Sequence, residues 1–122
     1  GMLMQAQESK SLTDIEIVDK IICQTPDQVA EILSPYDVEF TIWAHDKATI
    51  INGNNVKTIQ FEKRKGLINE IFIRYRKNNE QDVNSFASYK IPPNDDVFKY
   101  EKAMGSAYGH LRVKAKCQNL SE

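Results

Sequence analysis

Two histidines are the side chains of this sequence best suited to move protons near neutral pH. His45 is followed directly by Asp46, and His110 follows Gly109. Histidine is a common general base because its unperturbed pKa lies close to physiological pH. No spacing in the sequence requires the two histidines to meet, and a His-Asp pair in a polar turn is expected on any soluble protein. His45, Asp46 and His110 are therefore only weak catalytic candidates, and we expect a protein that is not an enzyme.

Motifs for cofactors, metals and nucleophiles are missing from the sequence. It has no P-loop and no G-x-G-x-x-G pattern. The segment 105–109, GSAYG, resembles a nucleophile elbow, but its serine directly follows the first glycine, which is the wrong spacing. Cys23 and Cys117 lie far apart and lack the short spacing of metal ligands. We expect no cofactor and no metal, and two reduced cysteines buried as small apolar side chains rather than a disulfide.

Positive charge is concentrated between residues 56 and 77. This stretch has seven bases and two acids, whereas residues 1–46 have nine acids and two bases, and the whole chain has a net charge of −1. Period-two alternation on both sides of the basic turn 63–66 predicts an antiparallel strand pair with one buried face. The predicted buried set is Ile59, Phe61, Ile71, Ile73 and Tyr75. The outward set, extended by the last strand, is the predicted binding surface: Phe72, Arg74, Arg76, Arg112, Lys114 and Lys116.

The positive charges of this surface could be balanced in two ways, by a bound nucleic acid or by acids of the same chain. Aromatic residues interleaved with Arg and Lys on an open sheet can hold single-stranded nucleic acid by stacking and phosphate contact. The number of bases is modest and the pI is about 6.2, which argues against a dedicated nucleic-acid binder. The charges could also be neutralised within the chain, by Glu62, Glu70 or acids of the helices. Nucleic-acid binding is therefore our third hypothesis.

Two short helices are predicted to precede the strands. Apolar residues at spacings of three and four from Leu12 to Ile22 indicate the first helix, with Ser11 or Thr13 as its N-cap. Thr25-Pro26 begins the second helix, which ends at Ser34-Pro35. Residues 1–10 are polar and without periodicity, so we expect a mobile tail followed by one domain over residues 11–122.

The sequence after Pro35 has mainly strand-like alternation. The segment 97–104 fits either a helix or an edge strand, and 78–82 is a predicted solvated loop. Further strands are predicted over 38–42, 48–51, 85–91 and 111–117, besides the pair around the basic turn. The predicted fold class is α+β, with two short N-terminal helices packed on a mostly antiparallel meander sheet of five to seven strands.

This order of elements resembles the cone-shaped nuclear-transport-factor-like and cystatin-like architectures, a similarity of layout that no motif carries. The resemblance implies a concave pocket that binds a small ligand or supports a minor enzymatic activity. The aromatic residues that could line such a pocket are Tyr36, Trp43, Phe86, Tyr89 and Tyr108.

Our leading functional hypothesis is a small cytoplasmic, non-catalytic binding or assembly domain. Strands rich in Tyr, Trp and Arg suit an oligomer interface, so a homo-oligomer or a protein partner is expected. The pocket domain with a small ligand is the alternative. No apolar run approaches the roughly 20 residues of a membrane helix. The first residues lack the basic and apolar regions of a secretory signal, so we expect no membrane partner and a cytoplasmic location.

Overall fold

The computed structural model describes residues 11–117, so the predicted tail over residues 1–10 lies outside the described part. The helices are α1 (Asp14–Ile21), α2 (Pro26–Leu33) and α3 (Glu80–Ser88). The strands are β1 (Val38–Ala44), β2 (Lys47–Asn52), β3 (Asn55–Arg64), β4 (Leu67–Arg76), β5 (Phe98–Met104) and β6 (Tyr108–Ala115). Among the described residues, no helix has the length and apolar character needed to cross a membrane.

The predicted α+β class is confirmed, and every strand pair is antiparallel. The order across the sheet is β1-β2-β3-β4-β6-β5, so the first four strands form a meander. After β4 the chain passes through α3 to β5 at the far edge, and β6 then returns between β5 and β4. Segment 97–104, which fitted a helix or a strand, is almost entirely strand β5.

The two N-terminal helices begin at the predicted caps. The Oγ1 atom of Thr13 accepts from the backbone N of Glu16, and Glu16 Oε1 accepts from the backbone N of Thr13 at 2.8 Å. Pro26 is the first residue of α2, where its missing N–H costs nothing. The N-cap of α1 is therefore Thr13 rather than Ser11.

The core lies between the three helices and one face of the sheet. Ile59, Phe61, Ile71, Ile73 and Tyr75 are each at most 2% exposed, as the alternation predicted. They pack with residues of α1, α2 and β6, which include Ile17, Ile21, Leu33, Leu111 and Val113. Apolar and polar residues alternate along these strands, so the apolar side chains all point to the same face of the sheet. That face packs against the helices, because the opposite face is polar.

The predicted loop over 78–82 and strand over 85–91 are wrong, since α3 occupies most of both segments. Asn79 Oδ1 accepts from the backbone N of Asp82 at 3.0 Å and caps the helix. Asp82 and Phe86 are buried and Tyr89 is half-buried, a spacing of three and four that is helical. The strand over 85–91 was predicted from period-two alternation, whereas the inward residues of this segment follow the helical period.

The prediction of two reduced cysteines is also wrong, because Cys23 and Cys117 form a disulfide with Cα atoms 5.4 Å apart. The loop between α1 and α2 pairs with the start of β4. Cys23 N donates to the carbonyl of Ile68 at 2.7 Å, and Ile68 N donates to the carbonyl of Gln24 at 2.9 Å. Cys117, just past β6, reaches the same end of the core. This proximity arises from the tertiary fold and has no local sequence signal.

Candidate binding surfaces

The face of the sheet opposite the helices is exposed, and no described element covers it. We call this side the open face. One row across it pairs Thr41 with Thr49 and Thr49 with Thr58. A second row pairs Gln60 with Phe72, Phe72 with Arg112, and Arg112 with Glu101. Most of the predicted binding surface therefore lies together in the middle of one face.

Phe72 forms a cluster of stacked side chains with residues of β6. Its ring lies 5.0 Å from the ring of His110, with 27° between their planes, and the Arg112 guanidinium lies 5.3 Å from the Phe72 centroid. Arg112 Nε lies 3.3 Å from Glu70 Oε2, and Arg112 Nη1 lies 3.8 Å from Glu101 Oε1. Both acids come from neighbouring strands, so the positive charge of Arg112 is neutralised within the sheet.

The positive charge of Lys114 is also neutralised, since its Nζ lies 3.9 Å from Glu70 Oε1. Lys116 follows the end of β6 and is exposed, while its backbone N donates to the carbonyl of Val97 at 2.9 Å. Of the acids that the sequence suggested for such pairing, Glu70 is used, whereas Glu101, which also contacts Arg112, was not suggested. Much of the predicted basic surface is therefore a mixed-charge surface.

Arg74 differs from its neighbours, since no carboxylate of the described residues lies within 4.0 Å of its guanidinium. The guanidinium lies 5.2 Å from the ring centroid of Tyr108 and 5.9 Å from that of Phe72. Arg74 also lines three adjoining shallow depressions of the open face. An exposed guanidinium held between two rings keeps its donors available to a ligand.

Arg76 is engaged with α3 through Asp82. Its backbone N donates to Asp82 Oδ2 at 3.1 Å and its Nε lies 3.5 Å from the same oxygen. The buried Lys57 donates to Asp82 Oδ1 at 2.7 Å. Burial of Asp82 opposes its ionisation, but the hydrogen bonds from Lys57 and Arg76 outweigh it, so the pKa of Asp82 is below its usual value.

The histidines do not form a catalytic pair. His45 lies in the turn between β1 and β2, its side chain is 89% exposed, and its Nε2 lies 3.7 Å from Asp46 Oδ2. His110 lies on β6, beyond β3 and β4 in the sheet, and contacts Glu101 Oε1 at 3.2 Å. Within residues 11–117, no group of His, Cys, Asp and Glu side chains could hold a metal ion.

The five aromatic residues predicted to line a pocket do not converge. Phe86 and Tyr89 pack on the Tyr75 ring in the core, with centroids 5.2 and 6.0 Å away. Tyr36 lies against the helix layer, below the Lys20 ammonium at 4.9 Å. Trp43 and Tyr108 are exposed on opposite parts of the sheet, on β1 and β6, with Trp43 Nε1 donating to Thr49 Oγ1 at 3.1 Å.

A buried polar cluster under α1 was not predicted from the sequence. The Tyr75 hydroxyl donates to Asp14 Oδ2 at 2.9 Å, and Asn52 Nδ2 donates to Asp14 Oδ1 at 3.3 Å. Burial and the nearby Asp14 raise the pKa of Tyr75 far above its ordinary range and that of Tyr89 to about 12, so both hydroxyls stay protonated. These groups attach α1 to the sheet.

The two edges of the sheet differ in how they are covered. At β5, the backbone N of Asp95 donates to the carbonyl of Phe98 at 3.0 Å, and the side chains of Asn94 and Asp95 accept from the backbone N of Tyr100 and Phe98. No described residue makes comparable hydrogen bonds to the outer edge of β1. On β1, Ile42 is 38% and Trp43 56% exposed.

Comparison with known proteins gives one short match. The chain is 34% identical over 56 residues to the U3 small nucleolar ribonucleoprotein protein imp3 of Pneumocystis carinii. The alignment covers 44% of this chain and 33% of that protein, so the chain spans about a third of the length of this relative. No protein-family model and no solved structure matches the chain.

Proposed function

We propose that this chain is a non-catalytic assembly domain that self-associates by pairing β1 with β1 of a second copy. The observation that carries the proposal is the outer edge of β1, to which no residue of 11–117 makes hydrogen bonds comparable to those at the β5 edge. An edge strand presents a row of unpaired N–H and C=O groups that another strand can complete. Two identical edges pair antiparallel about a two-fold axis, which closes the assembly at a dimer.

The side chains of β1 favour this use of its edge. Natural edge strands are protected by Lys, Pro, strong charge or a bulge. β1 reads VEFTIWA and has Glu39 as its single charged residue, and its one register irregularity lies at its end, between Ile42 and Ala44. Pairing would remove part of the apolar surface of Ile42 and Trp43 from water, and it would extend the helix-covered core past the half-buried Phe40. At the opposite edge, the first half of β5 is already engaged, because Asn94 and Asp95 accept from the backbone N of Tyr100 and Phe98.

The measurement is the solution mass of purified protein by light scattering. The chain has a mass of 14.0 kDa, so the proposal requires a species of twice that mass. Ile42→Lys places a charge at the proposed contact and should give the monomer at unchanged helix content. Val97→Lys is the matched control, since Val97 is 41% exposed beside the covered β5 edge, and it should stay dimeric. A wild-type protein that is monomeric at high micromolar concentration contradicts the proposal.

The short resemblance to a ribonucleoprotein protein favours a second candidate, association with RNA through the open face. Exposed Tyr108 and the unpaired Arg74 have the chemistry for stacking and phosphate contact. The neutralised Arg112 and Lys114 are why this candidate stands second. The test measures retention of a labelled single-stranded RNA at two salt concentrations. RNA binding that weakens neither at the higher salt concentration nor in Arg74→Ala excludes this candidate.

A further inference from the structure

The centre of the open face is a pair of adjoining depressions that share Arg74 and Thr58. The first has a volume of about 280 Å³ and is lined by Lys47, Thr58, Gln60, Phe72 and Arg74. The second, of about 240 Å³, includes Val56 and Tyr108 in its lining. Neither depression involves the β1 edge, so pairing of β1 strands would leave both open.

The first depression has the chemistry of an oxyanion site. It combines two cations, Lys47 and Arg74, with the neutral side chains of Thr58 and Gln60, and none of its lining residues is acidic. A third depression, which shares Gln60, Phe72 and Arg74 with the first, is lined by the acids Asp46, Glu62 and Glu70. Asp46 lies 3.5 Å from the Lys47 ammonium, and no carboxylate of the described residues lies within 4.0 Å of the Arg74 guanidinium. A guanidinium binds a phosphoryl or carboxylate group through two parallel hydrogen bonds.

The second depression adds a surface for a flat ring. Tyr108 is 47% exposed and its ring is stacked by the Arg74 guanidinium at 5.2 Å. Nucleobases stack on tyrosine rings and on guanidinium planes alike. The acid of this depression, Asp82, is already bound by Lys57 and Arg76, so it does not present a free charge to an anionic ligand.

We propose that the open face binds a nucleoside phosphate, with the phosphoryl group on Arg74 and Lys47 and the base on Tyr108. The ligand is either a free nucleotide or one nucleotide within a single strand of RNA, which have the same chemistry at this site. In the second case the inference rests on the RNA candidate above. It does not depend on dimer formation, because it uses different residues.

The test is titration of the full chain with four probes: uridine 5′-monophosphate, inorganic phosphate, uridine and a short oligouridylate. Changes in the amide chemical shifts of the protein report binding. We expect the monophosphate to bind more tightly than phosphate or uridine and to perturb Thr58, Gln60 and Tyr108. Arg74→Ala should weaken binding at least about tenfold, the loss expected for hydrogen bonds to a charged group. Arg64→Ala is the matched control, since Arg64 is an exposed cation outside both depressions.

A second variant separates a nucleotide site from a general anion site. Tyr108→Ala should weaken binding of the monophosphate and leave that of inorganic phosphate unchanged. Binding of the oligouridylate alone, with the same dependence on Arg74 and Tyr108, supports the strand as the source. Equal binding of phosphate and monophosphate, absence of binding by all probes, or binding that survives Arg74→Ala overturns the inference. Ile42→Lys should bind the monophosphate as the wild type does, even where it abolishes the dimer, because the site uses no residue of the β1 edge.

Discussion

At the scale of single residues, Asp82 of α3 connects the helix layer to the basic strands of the sheet through Lys57 and Arg76. Its two carboxylate oxygens serve different partners, the buried ammonium of Lys57 and the backbone N–H of Arg76. The Lys57 ammonium also lies 5.1 Å from the Tyr75 ring. A buried lysine needs an acid nearby because an unpaired charge is costly to desolvate.

We predict that Asp82→Asn lowers the free energy of unfolding at pH 7 by about 3–5 kcal/mol, since it leaves Lys57 buried without a counter-charge. The pKa of Asp82 is lowered in the folded protein from 3.8, so its stabilisation is present above that pH and is lost as the pH falls through the lowered value. Urea unfolding at pH 7 and at pH 3 measures both effects. The acid-dependent loss should be smaller in the variant, and Glu80→Gln on the exposed side of α3 should change little.

The sequence contained a partial signal for this ion pair. Ile59 and Phe61 were assigned to the buried parity of β3, and Lys57 shares that parity. A lysine on an inward position predicts an acidic partner, but the partner could not be named because Asp82 had been assigned to a solvated loop. In the same way, alternation predicted the buried Ile71, Ile73 and Tyr75, whereas the contact of Tyr75 with Asp14 depends on how α1 crosses the sheet.

At the scale of elements, α3 is docked by a close approach to β6. Gly109 is buried on β6 opposite Tyr75 of β4, and the ring of Phe86 lies directly over it. A Cβ on Gly109 would lie 2.9 Å from Phe86 Cζ, which is shorter than a van der Waals contact. This contact could not be predicted from the sequence, because a glycine required by packing has no local signature.

We predict that Gly109→Ala destabilises the protein by about 1–3 kcal/mol, the usual cost of adding a methyl group to a packed site. The strain should be relieved by a smaller residue at the contact, so Phe86→Leu and Gly109→Ala together should cost less than the sum of the two single changes. Urea unfolding of the three variants measures the coupling. Strict additivity would show that the Phe86 ring does not press on Gly109.

The elements themselves were predicted where one period dominated. The apolar spacing of the first helix favoured a helix over the strand that its β-branched residues also allow, and the Thr-Pro start of the second helix and the alternation of β3, β4 and β6 were clear signals. The prediction missed α3 because the apolar residues of this segment also fit a short strand. The Asn79 cap, with Asp82 three positions later, was the one signal that favoured a helix. The unequal sheet edges follow from strand order, and strand order depends on long-range pairing that periodicity does not encode.

At the scale of the whole molecule, one covalent link joins the two ends of the described chain. The Cys23–Cys117 disulfide attaches the α1–α2 loop to the segment after β6, across 94 positions. Cys23 adopts a positive φ of 66°, which is uncommon for a residue with a side chain. The hydrogen bonds of Cys23 and Gln24 to Ile68 hold the loop in this conformation, so the link completes an arrangement that the backbone already supports.

We predict that reduction of this disulfide lowers the free energy of unfolding by about 2–5 kcal/mol, because a long closed loop restricts the unfolded chain. Urea unfolding with and without reductant measures the loss, and a double variant, Cys23→Ser with Cys117→Ser, should be unaffected by reductant. Disulfides of this structural kind persist in oxidising compartments, whereas the cytoplasm keeps thiols reduced. Alkylation at the moment of cell lysis, followed by mass spectrometry of the denatured protein, counts the thiols that were free in the cell and therefore also tests the predicted cytoplasmic location. Two free thiols would favour the cytoplasm and contradict a disulfide in the cell, and none would place the folded protein in an oxidising environment.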